Sequence, residues 1–433
     1  MNKITIIILI PLTLLSCSLN SGSSFWSKKN IKNEQKILNI KQITKNEEIL
    51  LKEINKNLEI NLLSLKKENY PLSYFDNNIG RTDYNGELKS ISRYKFSKIK
   101  KFDQYEPEIS LTDQDIIFFN NKGTILKFNK NSNLLWKKNY YSKSEIKNNP
   151  ILFFSNNSKI LIVGDTLGKI YALNLKTGKL IWSNKNNSPF NSQIKILSDK
   201  IYIADAQNSI HCFSIKDGKK IWKFNTDKPL IKSQKKLSLV LQDSMVIFNN
   251  SIGDITAINN TDGALIWQTP TQSSKIYRDA MFLKTSDLVL KNNNIFFSNN
   301  TNNFFSIDID TGAINWKQNI NSSLRPVIID DFILTVSKEG YFVVIDKKGN
   351  LVRSNYLLKN IKKKKRKKIN FTGFVVGGEN IYLSTSNGRL FIISISTGKI
   401  EDILKIDNDK ISRPLIYNNN LYITKNNSVI KLN

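Results

Sequence analysis

The sequence predicts an all-β protein, an eight-bladed β-propeller of four-stranded antiparallel blades. From about Ser90 onward, short runs of Ile, Val, Phe, Tyr and Leu alternate with Asn, Asp and Gly, as strands and turns do. A hairpin string that ends in tryptophan recurs along this region. The chain also stops three strands into a repeat, which predicts that a strand from elsewhere completes the last blade.

The repeated string begins at a glycine or an asparagine and ends at a tryptophan. Gly168 to Trp182 reads GKIYALNLKTGKLIW, and Gly253 to Trp267 reads GDITAINNTDGALIW. Other copies end at Trp136, Trp222 and Trp316, and two later copies end at Arg353 and Asp402 without the tryptophan. The seven ends lie 37 to 49 residues apart, a spacing typical of a repeat array.

Each repeat predicts one antiparallel sheet. Its Thr-Gly or Asp-Gly turn supplies the positive φ that a tight hairpin needs, and an apolar strand precedes each hairpin pair. Such a sheet cannot bury both faces alone, so the sheets must stack around an axis. Eight blades of about 42 residues account for the region, within the range of propeller repeats.

The two termini are predicted to share one blade. Arg413 to Asn433 gives three strands and ends where the tryptophan strand of the other repeats begins. Leu88 to Ile99, just before the first repeat, is the candidate for the missing strand. The propeller is therefore predicted over residues 88–433.

The N-terminus carries an export signal, predicted over residues 1–16. Lys3 is followed by an apolar stretch from Ile4 to Leu15, too short to remain as a membrane span. Leu14-Leu15-Ser16-Cys17 resembles the lipobox of bacterial lipoproteins. This resemblance implies a lipid on Cys17, and Ser18 after it favours the outer membrane, on its periplasmic side. The alternative is an ordinary secretory signal with a chance cysteine.

Residues 17–87 are predicted to be a lipidated tether. Its small polar start is followed by a stretch without Gly or Pro, in which apolar residues recur at helical spacing: Leu51, Ile54, Leu58, Leu62 and Leu65. A short amphipathic helix and a solvated spacer are both compatible with this pattern.

Composition disfavours several kinds of site. The 433 residues include one histidine, His211, and two cysteines, Cys17 and Cys212, which argues against zinc, haem and disulfide frameworks. His211 and Cys212 are neighbours on a predicted strand and point to opposite faces, which indicates packing instead of metal binding. No catalytic set and no metal site is predicted.

Positive charge is the other strong bias, with 65 Lys+Arg against 36 Asp+Glu and a formal net charge of +29. The run Lys362 to Lys368 reads KKKKRKK and falls in a predicted loop. We favour a solvated loop over contact with anionic lipid headgroups, while export argues against nucleic acid as a partner.

The string from Ala172 to Trp182 resembles the docking motif of pyrroloquinoline-quinone-type propeller repeats, and the copy from Ser306 to Trp316 retains the motif's Asp as Asp308. In that superfamily the tryptophan lies between blades, near the glycine turn of its neighbour. The resemblance implies a blade-docking role for five tryptophans: Trp136, Trp182, Trp222, Trp267 and Trp316.

Two functional classes share this repeat. In quinoprotein dehydrogenases, a quinone sits in the central channel beside calcium and a catalytic aspartate. The BamB family of outer-membrane assembly lipoproteins binds no quinone, and the lipobox, the short blades and the lack of adjacent cysteines favour it. This resemblance implies that the protein is a non-enzymatic scaffold without a cofactor. It also implies that the protein acts as a monomer within a complex. The dehydrogenase, and an envelope scaffold with a different partner, remain alternatives.

The BamB family contacts BamA, the barrel-forming subunit, through a POTRA domain. The segment from Trp222 to Pro229 is similar to the family segment that precedes the contact loop. When the two segments are matched position by position, two leucines and an arginine of the family loop correspond to Ile231, Ser233 and Gln234. Of these three, only Ile231 keeps the chemical character of the family residue. In the next loop, Arg278 and Asp279 stand where the family has an acidic stretch. These five residues are the predicted partner-binding site.

Overall fold

A computed structural model describes residue 50 and residues 52–65, 75–112, 115–228, 236–272 and 283–433. In this part of the chain, strands β1 to β33 form eight sheets, which are the blades of a propeller. The predicted fold class, an eight-bladed propeller of four-stranded antiparallel blades, is confirmed. The predicted signal peptide and Cys17 lie outside the described residues.

Two strands precede the first blade: β1 (Arg81–Thr82) and β2 (Ser90–Lys95). Blade 1 consists of β3 (Ser110–Leu111), β4 (Asp115–Phe119), β5 (Ile125–Asn129) and β6 (Leu134–Lys138). Blade 2 consists of β7 (Leu152–Asn156), β8 (Ile160–Asp165), β9 (Lys169–Asn174) and β10 (Leu180–Lys185). Blade 3 consists of β11 (Phe190–Leu197), β12 (Lys200–Asp205), β13 (Ser209–Ser214) and β14 (Lys220–Asn225). Blade 4 consists of β15 (Leu239–Gln242), β16 (Met245–Asn249), β17 (Ile255–Asn259) and β18 (Leu265–Thr269).

Blade 5 consists of β19 (Val289–Lys291), β20 (Asn294–Asn299), β21 (Asn303–Asp308) and β22 (Ile314–Gln318). Blade 6 consists of β23 (Val327–Ile329), β24 (Phe332–Val336), β25 (Tyr341–Asp346) and β26 (Leu351–Tyr356). Blade 7 consists of β27 (Phe371–Gly377), β28 (Asn380–Thr385), β29 (Arg389–Ser394) and β30 (Ile400–Lys405). Blade 8 contains β31 (Leu415–Tyr417), β32 (Asn420–Lys425) and β33 (Ser428–Leu432). Short helices occur at α1 (Phe102–Tyr105), α2 (Lys143–Lys147) and α3 (Lys363–Arg366).

Within a blade, the first strand lies at the hub and the fourth at the rim. In blade 2, Ile170 to Leu173 on β9 are buried, whereas β10 is largely exposed. Because the strands are antiparallel, successive connections alternate between the two sides of the ring. We call the side with the connections between blades, such as 357–370, the loop face. The opposite side, with turns such as 175–179, is the turn face.

The ring is closed by the N-terminal strand. β2 pairs antiparallel with β33, with Tyr94 opposite Val429, and becomes the rim strand of blade 8. The strand predicted within Leu88 to Ile99 thus occupies Ser90–Lys95, and the prediction that the termini share a blade is confirmed. Blade 8 lacks a hairpin between its third and fourth strands because the fourth comes from the other end of the chain.

The expected tether is partly folded. Residue 50 and residues 52–65, which we call the strap, run from the loop face to the turn face along β26. Ile54 pairs with Ser354 through two backbone hydrogen bonds of 3.2 and 2.9 Å, and the Ile60 amide donates to the Ser396 carbonyl at 3.0 Å. Of the two alternatives for this segment, the amphipathic helix does not form over residues 52–65, and the segment is packed on the blades instead of being a solvated spacer. Ile60 and Leu62 are buried and alternate with exposed neighbours, the pattern of an extended chain.

Residues 75–82, which we call the plug, close the hub on the turn face. The Phe75 carbonyl accepts from the Leu241 amide and the Asp76 carbonyl from the Leu290 amide, both at 2.8 Å. β1 pairs in parallel with β27, the hub strand of blade 7. The plug therefore bonds to the innermost strands of several blades. In the described part of the chain, no helix is long and apolar enough to cross a membrane.

Candidate functional site

The five predicted docking tryptophans lie on rim strands, each against the third turn of the next blade. Each ring lies against the turn glycine of that blade; the glycines are Gly178, Gly218, Gly263, Gly312 and Gly349. A Cβ atom on Gly312, whose φ is +72°, would lie 2.6 Å from the ring of Trp267, so this turn requires glycine. We propose that these contacts dock the blades, as the motif implies.

Four of these tryptophans also donate a hydrogen bond to the carbonyl that precedes the turn. The indole of Trp267 donates to the Ile309 carbonyl at 2.7 Å, and Trp182 donates to Ile215 at 2.9 Å. Trp222 and Trp316 bond to the equivalent carbonyls of the next blades at 3.3 and 3.1 Å. The buried indole N–H of Trp136 has no such acceptor. These four joints therefore combine a ring packed on the turn glycine with a polar contact that fixes their register.

At the sixth joint, Arg353 takes the place of the tryptophan. Its fully buried guanidinium donates at 2.7 Å to the Ile395 carbonyl, which corresponds to the tryptophan acceptors above, and also to the Ser396 carbonyl. A third bond, of 2.8 Å, reaches the Leu58 carbonyl of the strap. Burial lowers the pKa of Arg353 to about 10. Arg353 therefore joins blade 6 to blade 7 and binds the strap at the same place.

Tyrosines from the N-terminal segment fill the last two joints. Tyr84 packs edge-on against Tyr382 at 5.3 Å, within an apolar cluster of blades 7 and 8. Tyr94 on β2 donates to the Lys130 carbonyl of blade 1 at 3.2 Å, in the manner of the tryptophans. At the joints that follow blades 7 and 8, the N-terminal segment thus supplies an aromatic side chain where no rim tryptophan is present.

An ionic cluster lies at the loop-face end of the hub, in the wall of a cavity of about 970 Å³. We call it the hub cluster; its members are Glu108, Lys236, Asp287, Arg325 and Arg413. Glu108 accepts from Lys236 at 2.8 Å and from Arg413 at 2.6 Å. Arg325 donates to Asp287 through Nε at 2.7 Å. Burial opposes ionisation of Glu108, but Lys236, Arg413 and Arg325 outweigh it and lower its pKa to about 2.

Lys195 connects the hub cluster to the plug. Its side chain is fully buried and donates to the Asn77 Oδ1 atom at 2.5 Å. Burial lowers the pKa of Lys195 to about 7, and Arg325 adds to that effect. The Asn77 amide also donates to the Leu239 and Leu288 carbonyls at 2.9 Å. Bonded protein groups therefore close the end of the hub at the plug, while the cavity lies at the loop-face end.

These hub residues do not fit the calcium that accompanies a quinone in the related dehydrogenases. The carboxylates of the cavity wall that face the hub, Glu108 and Asp287, are already bound to cations. The described residues contain no group of three or more His, Cys, Asp or Glu side chains that could hold a metal ion. A divalent cation would have to enter a site with excess positive charge, which Coulomb repulsion disfavours.

His211 is a packing residue. Its Nε2 atom lies 2.9 Å from the Asp205 carboxylate, and its ring stacks on Phe213 at 5.9 Å. Burial lowers the pKa of His211, although Asp205 opposes this. Cys212 is buried on the opposite side of β13, in a separate apolar cluster. The strand thus separates the two residues, as expected from their alternation.

The predicted partner-binding residues Ile231, Ser233, Gln234, Arg278 and Asp279 lie outside the described residues. The described ends of their two loops lie side by side on the loop face. Leu237 exchanges backbone hydrogen bonds with blade 3, through Asn191 at 2.8 Å and Gln193 at 2.9 Å. Thr271 donates to the Gly253 carbonyl at 2.5 Å. Both loops are therefore anchored where they leave the blades.

The basic run Lys362 to Lys368 lies on the loop face, in the connection between blades 6 and 7. It contains one helical turn, α3, within the loop that was predicted there. Its lysines are exposed, whereas Leu357, Leu358 and Ile369 on either side are buried. No signal in the sequence indicated that this loop would be ordered.

Repeated four-stranded sheets and tryptophan joints define a class, the eight-bladed propellers built from pyrroloquinoline-quinone-type repeats. The sequence model of the family described as outer membrane protein assembly factor BamB matches residues 121–355. The chain belongs to this BamB family.

Solved structures with the same fold share little sequence with this chain. BamB from Moraxella catarrhalis matches with a TM-score of 0.64 and 17% identity, over 80% of this chain and 100% of that one. Quinohemoprotein alcohol dehydrogenase from Comamonas testosteroni matches with a TM-score of 0.61 and 10% identity, over 81% and 78%. The computationally designed Ika8 protein matches with a TM-score of 0.60 and 14% identity, over 80% and 99%. No curated protein sequence matches the chain.

Proposed function

We propose that the chain is a non-enzymatic scaffold lipoprotein of the outer-membrane β-barrel assembly machinery. In this proposal, a lipid on Cys17 holds it at the periplasmic side of the outer membrane, and it binds the barrel-forming, BamA-like subunit through a POTRA domain. The observation that carries the proposal is the BamB family match over residues 121–355.

The geometry supports a role in presenting surfaces. The plug closes the turn-face end of the hub, the charges of the hub cluster are paired with each other, and the joints hold neighbouring blades in register. A rigid ring fixes the points at which both loops leave the blades, which lowers the entropy cost of binding a partner domain there. The two predicted loops leave adjacent joints on the loop face, which places both within reach of one small domain.

Co-purification tests this function. The membrane fraction is dissolved in detergent and recovered through a tag on Asn433, which lies at the exposed end of β33. We expect the barrel-forming subunit in the recovered complex. Replacement of Ile231 by Asp together with Arg278 by Glu should lower its recovery at least tenfold, because both loops lose contacts. Recovery of other envelope proteins without this subunit would favour the alternative scaffold.

A matched control separates loop contacts from general effects. Exposed Lys147 and Lys143 lie on α2, in the loop-face connection between blades 1 and 2. Replacing both by Glu changes the surface charge of the same face away from the predicted loops. We expect this variant to recover the barrel-forming subunit as the wild type does; an equal loss in both variants would contradict the loop assignment.

The dehydrogenase alternative is tested with the purified protein. Pyrroloquinoline quinone and calcium are added together, and thermal unfolding and dye reduction are measured. Because the hub carboxylates already bind cations, we expect an unchanged unfolding midpoint and no dye reduction. A clear rise in the midpoint with dye reduction would establish the enzyme and reject the scaffold.

A further inference from the structure

The basic run forms an ordered surface patch. We define the lysine turn as seven lysines in the connection between β26 and β27: Lys359, Lys362, Lys363, Lys364, Lys365, Lys367 and Lys368. All seven are exposed. Among the described residues, none of them forms an ion pair, in contrast with the cations of the hub cluster. The lysine turn is therefore a concentration of uncompensated positive charge.

The fold holds these charges together. Arg366, in the middle of the run, points back and donates to the Ile361 and Lys359 carbonyls, both at 2.6 Å. Its guanidinium also lies over the ring of Tyr356 at 5.6 Å. The backbone of α3 closes with a bond of 2.8 Å from the Lys365 amide to the Lys362 carbonyl. Arg366 thus braces the turn from inside, and the lysines around it project from an ordered backbone.

The connection is also fixed at both ends. The Leu357 amide donates to the Gly340 carbonyl at 2.9 Å, and Leu357 and Leu358 are buried. After the turn, Ile369 is buried, and the Asn370 carbonyl accepts from the Ser386 amide at 2.8 Å. Because the backbone is already ordered, binding to the lysines costs less conformational entropy than it would on a free loop.

The strap enters the propeller close to this patch. Leu50 donates to the Asn319 carbonyl at 3.3 Å, in the loop-face connection between blades 5 and 6. The lysine turn is the next connection on the same face. The segment between Cys17 and Leu50 spans at most about 120 Å when fully extended. A lipid on Cys17 would therefore tether the propeller through the same edge of the loop face that carries the lysine turn.

We infer that the lysine turn is a membrane-contact surface that binds the phosphate headgroups of anionic lipids. The inference rests on the proposed lipid anchor only for the approach of this face; the charge contact itself does not need the anchor. A compact set of ammonium groups without acidic partners attracts a surface of negative charge, and each lysine near such a surface adds to the attraction. One acyl anchor and one basic patch together hold a protein at a membrane more firmly than either alone.

Vesicle flotation tests the inference with a chain that cannot be lipidated. Residues 18–433 retain every described residue and the whole of the compact unit 49–433. We expect this chain to float with vesicles of phosphatidylcholine and phosphatidylglycerol, to stay behind with pure phosphatidylcholine, and to be released by high salt. Replacing Lys363, Lys364, Lys365 and Lys367 by Gln should weaken binding up to about a thousandfold.

A matched variant controls for the high charge of the whole protein. Lys130, Lys176, Lys179 and Lys216 are exposed in turns on the opposite, turn face. Replacing these four by Gln removes the same charge, and we expect binding close to that of the unmodified chain. Circular dichroism checks that both variants are folded. An equal loss in the two variants, or no loss in the lysine-turn variant, would overturn the inference.

Two further outcomes are distinguished. If the lysine-turn variant loses binding to a DNA duplex but keeps its binding to anionic vesicles, the patch serves nucleic acid and the inference is wrong. Recovery of the barrel-forming subunit is measured separately with the lipidated chain. Vesicle binding that depends on the lysine turn, without recovery of that subunit, would keep the inference and reject the proposed function.

Discussion

Arg353 offers the sharpest test of how the strap is attached. Its guanidinium donates to carbonyls of blade 7 and of the strap, so one side chain contributes to two attachments. We predict that Arg353→Ala loosens both, whereas Arg353→Trp, which restores the residue found at five other joints, loosens the strap alone. A tryptophan can reach the Ile395 carbonyl, but its single N–H leaves the Leu58 carbonyl without a donor.

The magnitude follows from the bonds. Hydrogen bonds from a charged donor are worth about 1.5 to 3 kcal/mol each, and Arg353 makes three. The cost of burying a cation without a carboxylate partner, which the lowered pKa reflects, offsets more than half of that sum. We therefore expect Arg353→Ala to lower the free energy of unfolding by about 3 kcal/mol and the unfolding midpoint by about 4 °C.

Two measurements separate the attachments. Thermal unfolding by circular dichroism reports on the ring, and hydrogen exchange of the Ile54 and Ile60 amides reports on the strap, since both amides are bonded to the propeller. We expect Arg353→Trp to keep the midpoint within about 2 °C of the wild type and to speed exchange of both amides. The exposed Arg93→Ala serves as the control. Unchanged exchange in Arg353→Trp, or an unchanged midpoint in Arg353→Ala, would refute the reasoning.

Two other predictions concern the joints and the hub. Trp267→Ala removes a buried ring and should lower the free energy of unfolding, measured in urea, by about 4 kcal/mol. Trp267→Phe keeps a ring against Gly312 but loses the hydrogen bond to the Ile309 carbonyl, and it should cost about 1 kcal/mol. Equal losses in the two variants would count against a separate contribution of the hydrogen bond. Glu108→Gln leaves the cations of the hub cluster undercompensated and should cost about 3 to 5 kcal/mol at neutral pH. Because the pKa of Glu108 is lowered from 4.5 to about 2, its contribution to stability is complete above pH 4.5 and is lost as the pH falls toward 2. The free energies of unfolding of the wild type and of Glu108→Gln should therefore converge near pH 2. A constant difference between them across this range would contradict the assignment.

Much of the fold could be predicted because it is repeated. Each Gly-to-Trp string encodes a hairpin and the contact to the next hairpin, so recurrence predicts both the blades and their number. The missing fourth strand at the C-terminus was equally informative, because an unpaired sheet edge in a ring requires a partner. The contacts of Arg353 were not foreseen, since a single arginine in place of a tryptophan carries no signal of its own.

The strap shows where local pattern was misleading. Its leucines and isoleucines recur at helical spacing, but Ile54 is bonded to the rim of blade 6, and Ile60 and Leu62 alternate with exposed residues. Tertiary hydrogen bonds to Ser354 and Ser396 outweigh a weak helix preference in so short a segment. The lysine turn is similar: its charge was evident from sequence, but the brace formed by Arg366 depends on chain geometry that the run itself does not specify.

The shared eighth blade also determines when the propeller ring can close during folding. Its outermost strand, β2, is synthesised before the other seven blades, and β33, with which it pairs, is synthesised after them. Until β33 has been made, β2 has an open hydrogen-bonding edge and the first blade lacks one neighbour. Closure of the ring therefore requires all eight blades, which favours slow maturation and a need for protection against premature pairing with other chains.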